Sequence, residues 1–194
     1  MSVRPTGGPV AVGLALLVVA GSASGRVLEA SATGFQVQHE VEVGADAREA
    51  WRMLLDVGAW WDPAHTYTGR AGNLHIDPRP GGCFCERLPR GGGVEHLRVV
   101  YLAPQSRLRL SGALGPLQAS GLAGSLTFTL AALPAGGTRI TLAYSVGGFM
   151  AGGLEPLAPA VDAMLGGQIG RLRTRLGPPP AAERRPADAA AGPP

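Results

Sequence analysis

The sequence predicts an α+β domain in which a curved antiparallel sheet of about seven strands wraps around one long C-terminal helix, with two short helices after the first strand. Three observations carry this. An alternating strand runs straight into a capped helix between Phe35 and Leu55. A series of short alternating runs, broken by glycine and proline, fills Asn73 to Val146. A continuous apolar stripe then occupies Leu154 to Leu176.

In the opening strand, Phe35, Val37, His39, Val41 and Val43 share one face, and Gln36, Gln38, Glu40 and Glu42 share the other, which is the pattern of a half-buried strand. Asp46 is placed as an N-cap, with Glu49 three positions on completing a capping-box-like pair. The helix that follows presents Ala50, Trp51, Leu54 and Leu55 on one face and ends at Gly58. A second helical turn, Ala59 to Trp61, stops at Asp62-Pro63. The expected strands are then 73–77, 83–88, 94–102, 107–113, 126–133 and 138–146, with hairpin turns at Pro89 to Gly93 and Pro134 to Gly137. In the last element Leu154, Leu157, Val161, Leu165, Ile169, Leu172 and Leu176 recur at steps of three and four. That is a helix of about 22 residues, or roughly 33 Å at about 1.5 Å per residue, and it tolerates Pro156 and Pro159 in its first turns.

The two ends read differently. Arg4, the eleven-residue apolar run Val10 to Ala20 and the small residues Gly21 to Gly25 make up a secretory signal peptide over residues 1–25, with cleavage expected between Ala23 and Arg26. A permanent span needs roughly 20 apolar residues, so no membrane anchor is expected after cleavage. Residues 26–34 read as a linker, and 177–194, rich in proline and alanine, as a disordered tail. The protein is therefore expected to be exported, periplasmic or extracellular.

All 17 basic residues are arginine and none is lysine, and 16 of them remain against 14 acids once the leader is removed. That field is weak despite a pI near 9.4. No basic stripe is interleaved with aromatics, so nucleic acid is not an expected partner.

The segments FQVQHEVEVGADAREAWRMLLDVGAWW, GGCFCERLPRGGGVEHLRVVYLAPQSRLRLSG and GGTRITLAYSVGG before LAPAVDAMLGGQIGRLRTRL resemble the helix-grip fold of the START-like superfamily, over nearly all of Phe35 to Leu176. That superfamily takes in the major birch-pollen allergen, the polyketide cyclase and dehydrase-like proteins and the Hsp90-activator-like proteins. The resemblance implies one domain, 35–176, and a partner that is a small hydrophobic molecule held between sheet and helix. It implies no shared catalytic set and no cofactor, so chemistry has to be argued from these residues.

The candidates gather between Trp60 and Glu86 and on the long helix. Adjacent tryptophans on a short helix point about 100° apart, so one of Trp60 and Trp61 packs under the sheet while the other lines the mouth. His65 and Tyr67 follow on a loop, as ligand contacts or as a hydrogen-bonded surface pair. Gly166, Gly167 and Gly170 leave room for a ligand beside the helix, or else allow close backbone approach. Cys83 and Cys85 face one side of a strand, with Phe84 and Glu86 on the other. Three readings stand for them: small residues lining the cavity, a strained, redox-active pair across an extended backbone that holds the Cα atoms near or beyond bonding reach, or soft-metal ligands with His96 or, second, His65. Glu86, Glu95 and Asp162 are acids able to serve as a base, although Glu86 and Glu95 also suit a cross-strand surface pair with Arg87 and Arg98 nearby. The functional readings are a ligand carrier or, alternatively, a cyclase or dehydratase-like enzyme with His65, His96 or Glu86 as acid or base. A thiol or metal protein built on Cys83 and Cys85 is the third.

Overall fold

A computed structural model describes residues 24–180. The strands are β1 (Ser24–Ser31), β2 (Gly34–Val43), β3 (Leu74–Ile76), β4 (Cys83–Arg87), β5 (Gly93–Ala103), β6 (Arg107–Ser111), β7 (Ala123–Ala132) and β8 (Thr138–Gly147). They form one antiparallel sheet in the order β1-β2-β8-β7-β6-β5-β4-β3. Two α-helices, α1 (Ala47–Leu55) and α2 (Ala158–Leu176), join it, giving the helix-grip α+β fold.

Local chemistry explains the elements. In β2 every second residue from Phe35 to Val43 is buried, including His39, so the alternation read from the sequence is the alternation of the two sheet faces. The Asp46 carboxylate accepts from the Glu49 amide at 2.8 Å and starts α1. Three short 3-10 turns, Val57–Ala59, Pro63–His65 and Ala71–Asn73, carry the chain from α1 to β3. The apolar stripe of α2 divides in two. Leu165, Ile169, Leu172 and Leu176 are buried against the sheet, whereas Val161, nearer the start, and Leu157, in the turn before it, are only partly covered.

Three expectations change. Residues 26–34 are not a linker, because β1 pairs with β2 from Ser24↔Glu40 to Ser31↔Gly34 and makes the sheet eight-stranded. The long helix begins at Ala158, after a 3-10 turn at Glu155–Leu157, and has 19 residues. The strand expected to reach Ala113 ends at Ser111, and residues 112–122 form a covering loop with a 3-10 turn at Gly115–Ser120. Residues 1–23 and 181–194, which hold most of the expected leader and tail, lie outside the described residues.

Candidate functional site

Between the inner face of the sheet and the first half of α2 lies a cavity of about 490 Å³. Its walls come from four directions. Phe84, His96 and Tyr144 project from the sheet, Val161 and Met164 from α2 and Leu157 from the turn before it, Trp61 and residues 64–67 from the turns after α1, and Leu114 to Leu117 from the covering loop. Most of this lining is apolar, as a site for a small organic molecule requires.

One wall is a run of touching rings. Trp61 meets Phe84 edge-on at 5.4 Å, Phe84 meets His96 at 5.1 Å, and the Tyr67 ring stacks on His96 at 5.9 Å. Trp60, the other tryptophan of the pair, is buried behind Trp61 and donates to the Leu54 carbonyl. It is core and does not line the cavity, whereas Trp61 does, with its Nε1 donating to the His65 carbonyl at 3.1 Å.

His96 owes its position to a β-bulge. Phe84 pairs with Leu97 and Cys85 with Glu95, which leaves His96 as the extra residue of β5. Both His96 and Leu97 are therefore buried on the inner face, where strict alternation would send one outward. Carbonyls disturbed by the bulge are taken up by the covering loop: Gln118 Nε2 donates to the carbonyls of Glu95 and His96.

Behind His96 sits Glu86, fully buried on the same face of β4. Its Oε1 accepts from the Thr68 amide at 2.8 Å and from Thr68 Oγ1 at 2.6 Å. Its Oε2 accepts from the Tyr67 amide at 3.0 Å and faces His96 Nε2 at 3.2 Å. Burial pushes the Glu86 carboxyl up, but the bonds from Thr68, Tyr67 and His96 outweigh it and leave its pKa below the ordinary 4.5. Glu86 is thus an ionised acceptor, so the His96 proton belongs on Nε2 and Nδ1 carries a lone pair. Burial lowers the His96 pKa below 6.5, against the opposing pull of Glu86, and keeps the ring neutral at pH 7. Nδ1 is buried and has no hydrogen-bond partner among the described residues.

The other candidates are placed as follows. His65 lines the cavity from the turn after α1, and its Nδ1 accepts from Gln168 Nε2 at 3.1 Å. Gln168 Oε1 also accepts from the Asp62 amide at 2.8 Å, so this buried α2 side chain clasps the turn that carries His65. Sequence reasoning missed Gln168, although it stands three residues after Leu165 and four before Leu172, a polar residue within the apolar stripe. Thr68 and Asn73, whose Nδ2 donates to Thr68 Oγ1 at 3.1 Å, carried no such signal. Tyr144 anchors the covering loop, its hydroxyl accepting from the Leu114 amide at 2.8 Å; burial pushes its pKa up to about 12.

Solved structures share this architecture. The protein Mll3558 from Rhizobium loti matches with a TM-score of 0.56 at 21% identity, covering 74% of this chain and 97% of that one. CalU16 from Micromonospora echinospora matches at 0.50 and 16%, covering 82% and 87%. DynU16, described as a putative protein in the dynemicin biosynthetic locus, matches at 0.51 and 19%, covering 73% of this chain and 46% of that one. At such identities the likeness shows the fold alone. No protein-family model matches the chain, and no curated protein does.

Several expected site residues are not brought together. Cys83 and Cys85 do not line the cavity, because alternation along β4 turns Phe84 and Glu86 inward and both sulfurs outward. They are bonded to each other, with Cα atoms 5.4 Å apart, inside the ordinary range for a disulfide. A metal site joining them to His96 or His65 is excluded by the same geometry, since both histidines are on the cavity side. Glu86 and Glu95 are not a surface pair: Glu95 is on the outer face, ion-paired with Arg98. Asp162 meets the buried His39 ring at 2.9 Å, away from the cavity. None of the three helix glycines lines the cavity. Gly166 lies under the His39 ring, where a Cβ would come within 2.9 Å of Cε1, while a Cβ on Gly167 or Gly170 would meet nothing within 4 Å. Among the described residues no helix is long and apolar enough to cross a membrane.

Proposed function

We propose that the protein is a START-like carrier of a small, flat, largely apolar molecule that has one hydrogen-bond donor, such as a phenolic or enolic hydroxyl. The observation that carries this reading is the His96 Nδ1 lone pair, buried and without a partner at the wall of an apolar cavity. An unmatched buried acceptor costs about 1–3 kcal/mol, and a ligand hydroxyl that donates to it recovers that cost. The run of rings from Trp61 to Tyr67 favours an aromatic framework through edge and face contacts. Nδ1 is sealed from solvent, so ligand entry needs a side chain to move. Tyr67, 55% exposed and stacked on His96, is placed to do so.

The test compares 2-naphthol with 2-methoxynaphthalene by fluorescence titration. His96→Gln is the informative variant, because a glutamine amide still donates to Glu86 but offers nothing where Nδ1 was. Naphthol should bind roughly fivefold to tenfold more tightly than its methyl ether, from about 1 kcal/mol for one hydrogen bond. In His96→Gln the two should bind alike. Equal affinity for both compounds in the unaltered protein overturns the proposal.

A second reading rests on the same dyad. A neutral histidine held by a buried carboxylate is a general base, with Glu86 as the positioning residue, so proton abstraction from an enolisable carbonyl compound of the cyclase or dehydratase kind is the reaction to look for. Conversion of a bound compound that disappears in His96→Gln while binding persists supports the enzyme.

Export is proposed with this reading. Its support is the charged, apolar and small-residue order of the first 25 residues, together with a disulfide of the kind that persists in oxidising compartments. Intact-mass measurement of protein from the periplasm or medium tests it. Cleavage right after Ala23 would leave β1 whole, and a full-length mass confined to the cytoplasm counts against export.

A further inference from the structure

The outer face of β3 and β4 carries a group that the cavity does not use. Cys83 and Cys85 project there from β4, and His75 of β3 is the cross-strand partner of Cys85. One sulfur from each cysteine and one ring nitrogen of His75 all lie within 4.8 Å of one another. The disulfide itself joins residues only two apart. Stabilisation by a disulfide comes mainly from closing a long loop in the unfolded chain, and a bridge around one residue closes almost none. It also tethers no second element to β4, so structural stapling does not account for it. What remains is its chemistry: two sulfurs, partly exposed, beside an exposed imidazole at the edge of the sheet.

We propose that this is a redox-gated metal site, in which reduction of the Cys83–Cys85 disulfide exposes two thiols that bind a thiophilic divalent cation of the zinc type, with His75 as third ligand. The step balances with a dithiol as reductant. The dithiol supplies two electrons and two protons and becomes a disulfide, while the Cys83–Cys85 bond breaks to give two thiols. Cation binding then expels the two thiol protons, because the ligands are thiolates. Two sulfurs and one imidazole are a zinc-binding set that leaves the fourth tetrahedral position to water. The oxidised pair offers no thiolate and holds no cation, so the bond is the gate. Sheet alternation keeps this site on the opposite face from His96 and Glu86, and loading it is independent of ligand in the cavity.

Cobalt(II) tests the proposal, since thiolate-to-cobalt charge-transfer absorption reports sulfur ligation directly. The full chain is reduced with dithiothreitol, freed of it under argon, and titrated. One equivalent of cobalt should bind with a near-ultraviolet charge-transfer band, and zinc should displace it. The unreduced protein should show no band, and Cys83→Ser and Cys85→Ser should each lose it. His75→Ala, a change at an exposed position, should weaken cobalt binding about tenfold or more while the fold, read by circular dichroism, is kept. The proposal is overturned by a reduced protein without the band, by His75→Ala binding as tightly as the original, or by a disulfide that dithiothreitol does not open in the folded protein.

Discussion

Replacing Glu86 by glutamine preserves volume and removes one negative charge, and its consequence follows from the bonds the carboxylate accepts. Oε1 takes two from Thr68 at 2.6 and 2.8 Å, and Oε2 takes those of the Tyr67 amide and His96 Nε2 at 3.0 and 3.2 Å. A glutamine keeps one oxygen, so its amide nitrogen leaves one backbone amide, that of Thr68 or of Tyr67, without its acceptor, and the neighbouring Thr68 hydroxyl or His96 ring must turn from donor to acceptor. Two lost charge-assisted bonds at about 1.5 kcal/mol each give a destabilisation of about 3 kcal/mol, at the lower edge of the range for breaking a buried charged pair. For a domain of about 150 residues that lowers Tm by about 9 °C. Urea and thermal unfolding of both proteins measure it. The pH arm separates charge from shape. A carboxyl whose folded pKa lies below 4.5 stabilises the fold above that value, and the contribution is lost as pH falls through the folded pKa. The gap between the original protein and Glu86→Gln should therefore close in acid and stay constant from pH 6 upward. A loss under about 1 kcal/mol at neutral pH, or a gap insensitive to acid, refutes the carboxylate as the anchor of the 66–68 loop.

Three further outcomes are expected. Gly167→Ala, with open space for its methyl, should stabilise by about 1 kcal/mol through helix propensity, whereas Gly166→Ala should be destabilising by a similar amount because its Cβ meets His39; equal shifts in urea unfolding would contradict the packing. Gln168→Leu should cost about 2 kcal/mol by leaving the buried end of the clasp unmatched, and should broaden the His65 ring signals in NMR spectra; unchanged signals would show that His65 is held otherwise. Binding of 2-naphthol needs the neutral His96 ring. Burial places its pKa below 6.5, so affinity should hold at neutral pH and fall only as pH drops beneath that value, along with a loss of folding stability as the unfolded chain takes up the proton first. Affinity that instead rises in acid would mean that the ring donates.

The sheet and the helix were legible because their signals are periodic, and a period survives whatever packs against it. β2 shows this: its inward set ran Phe35, Val37, His39, Val41, Val43 in the sequence and is the buried set in the fold. β1 was not legible, since Ser24–Ser31 begins within the small residues of the leader exit and carries its own register shift between Val27 and Glu29. In the site, alternation along β4 correctly put Phe84 and Glu86 opposite the cysteines, which already placed an acid on the same side as an aromatic core residue. Glu95 pairs with Cys85 and so shares the outer face with it, and alternation within a single strand does not fix that register across the hairpin.

That register is where the site is decided. One extra residue at His96 moves the imidazole to the inner face without moving Leu97 off it, so β5 departs from period two at the position where the cavity acquires its polar atom. Alternation assigns faces; it has no means of announcing a bulge, because nothing about Glu95-His96-Leu97 differs in composition from an ordinary stretch of strand. Gln168 breaks a pattern in the opposite way, being polar at an apolar step of α2, and that kind of break can be read from sequence. The two together suggest how to search such chains: polar residues inside an otherwise apolar period mark contacts made across the core. The residues set inward by a bulge are found only once strand pairing is known, and here they include the one buried ring nitrogen at the cavity that lacks a partner among the described residues.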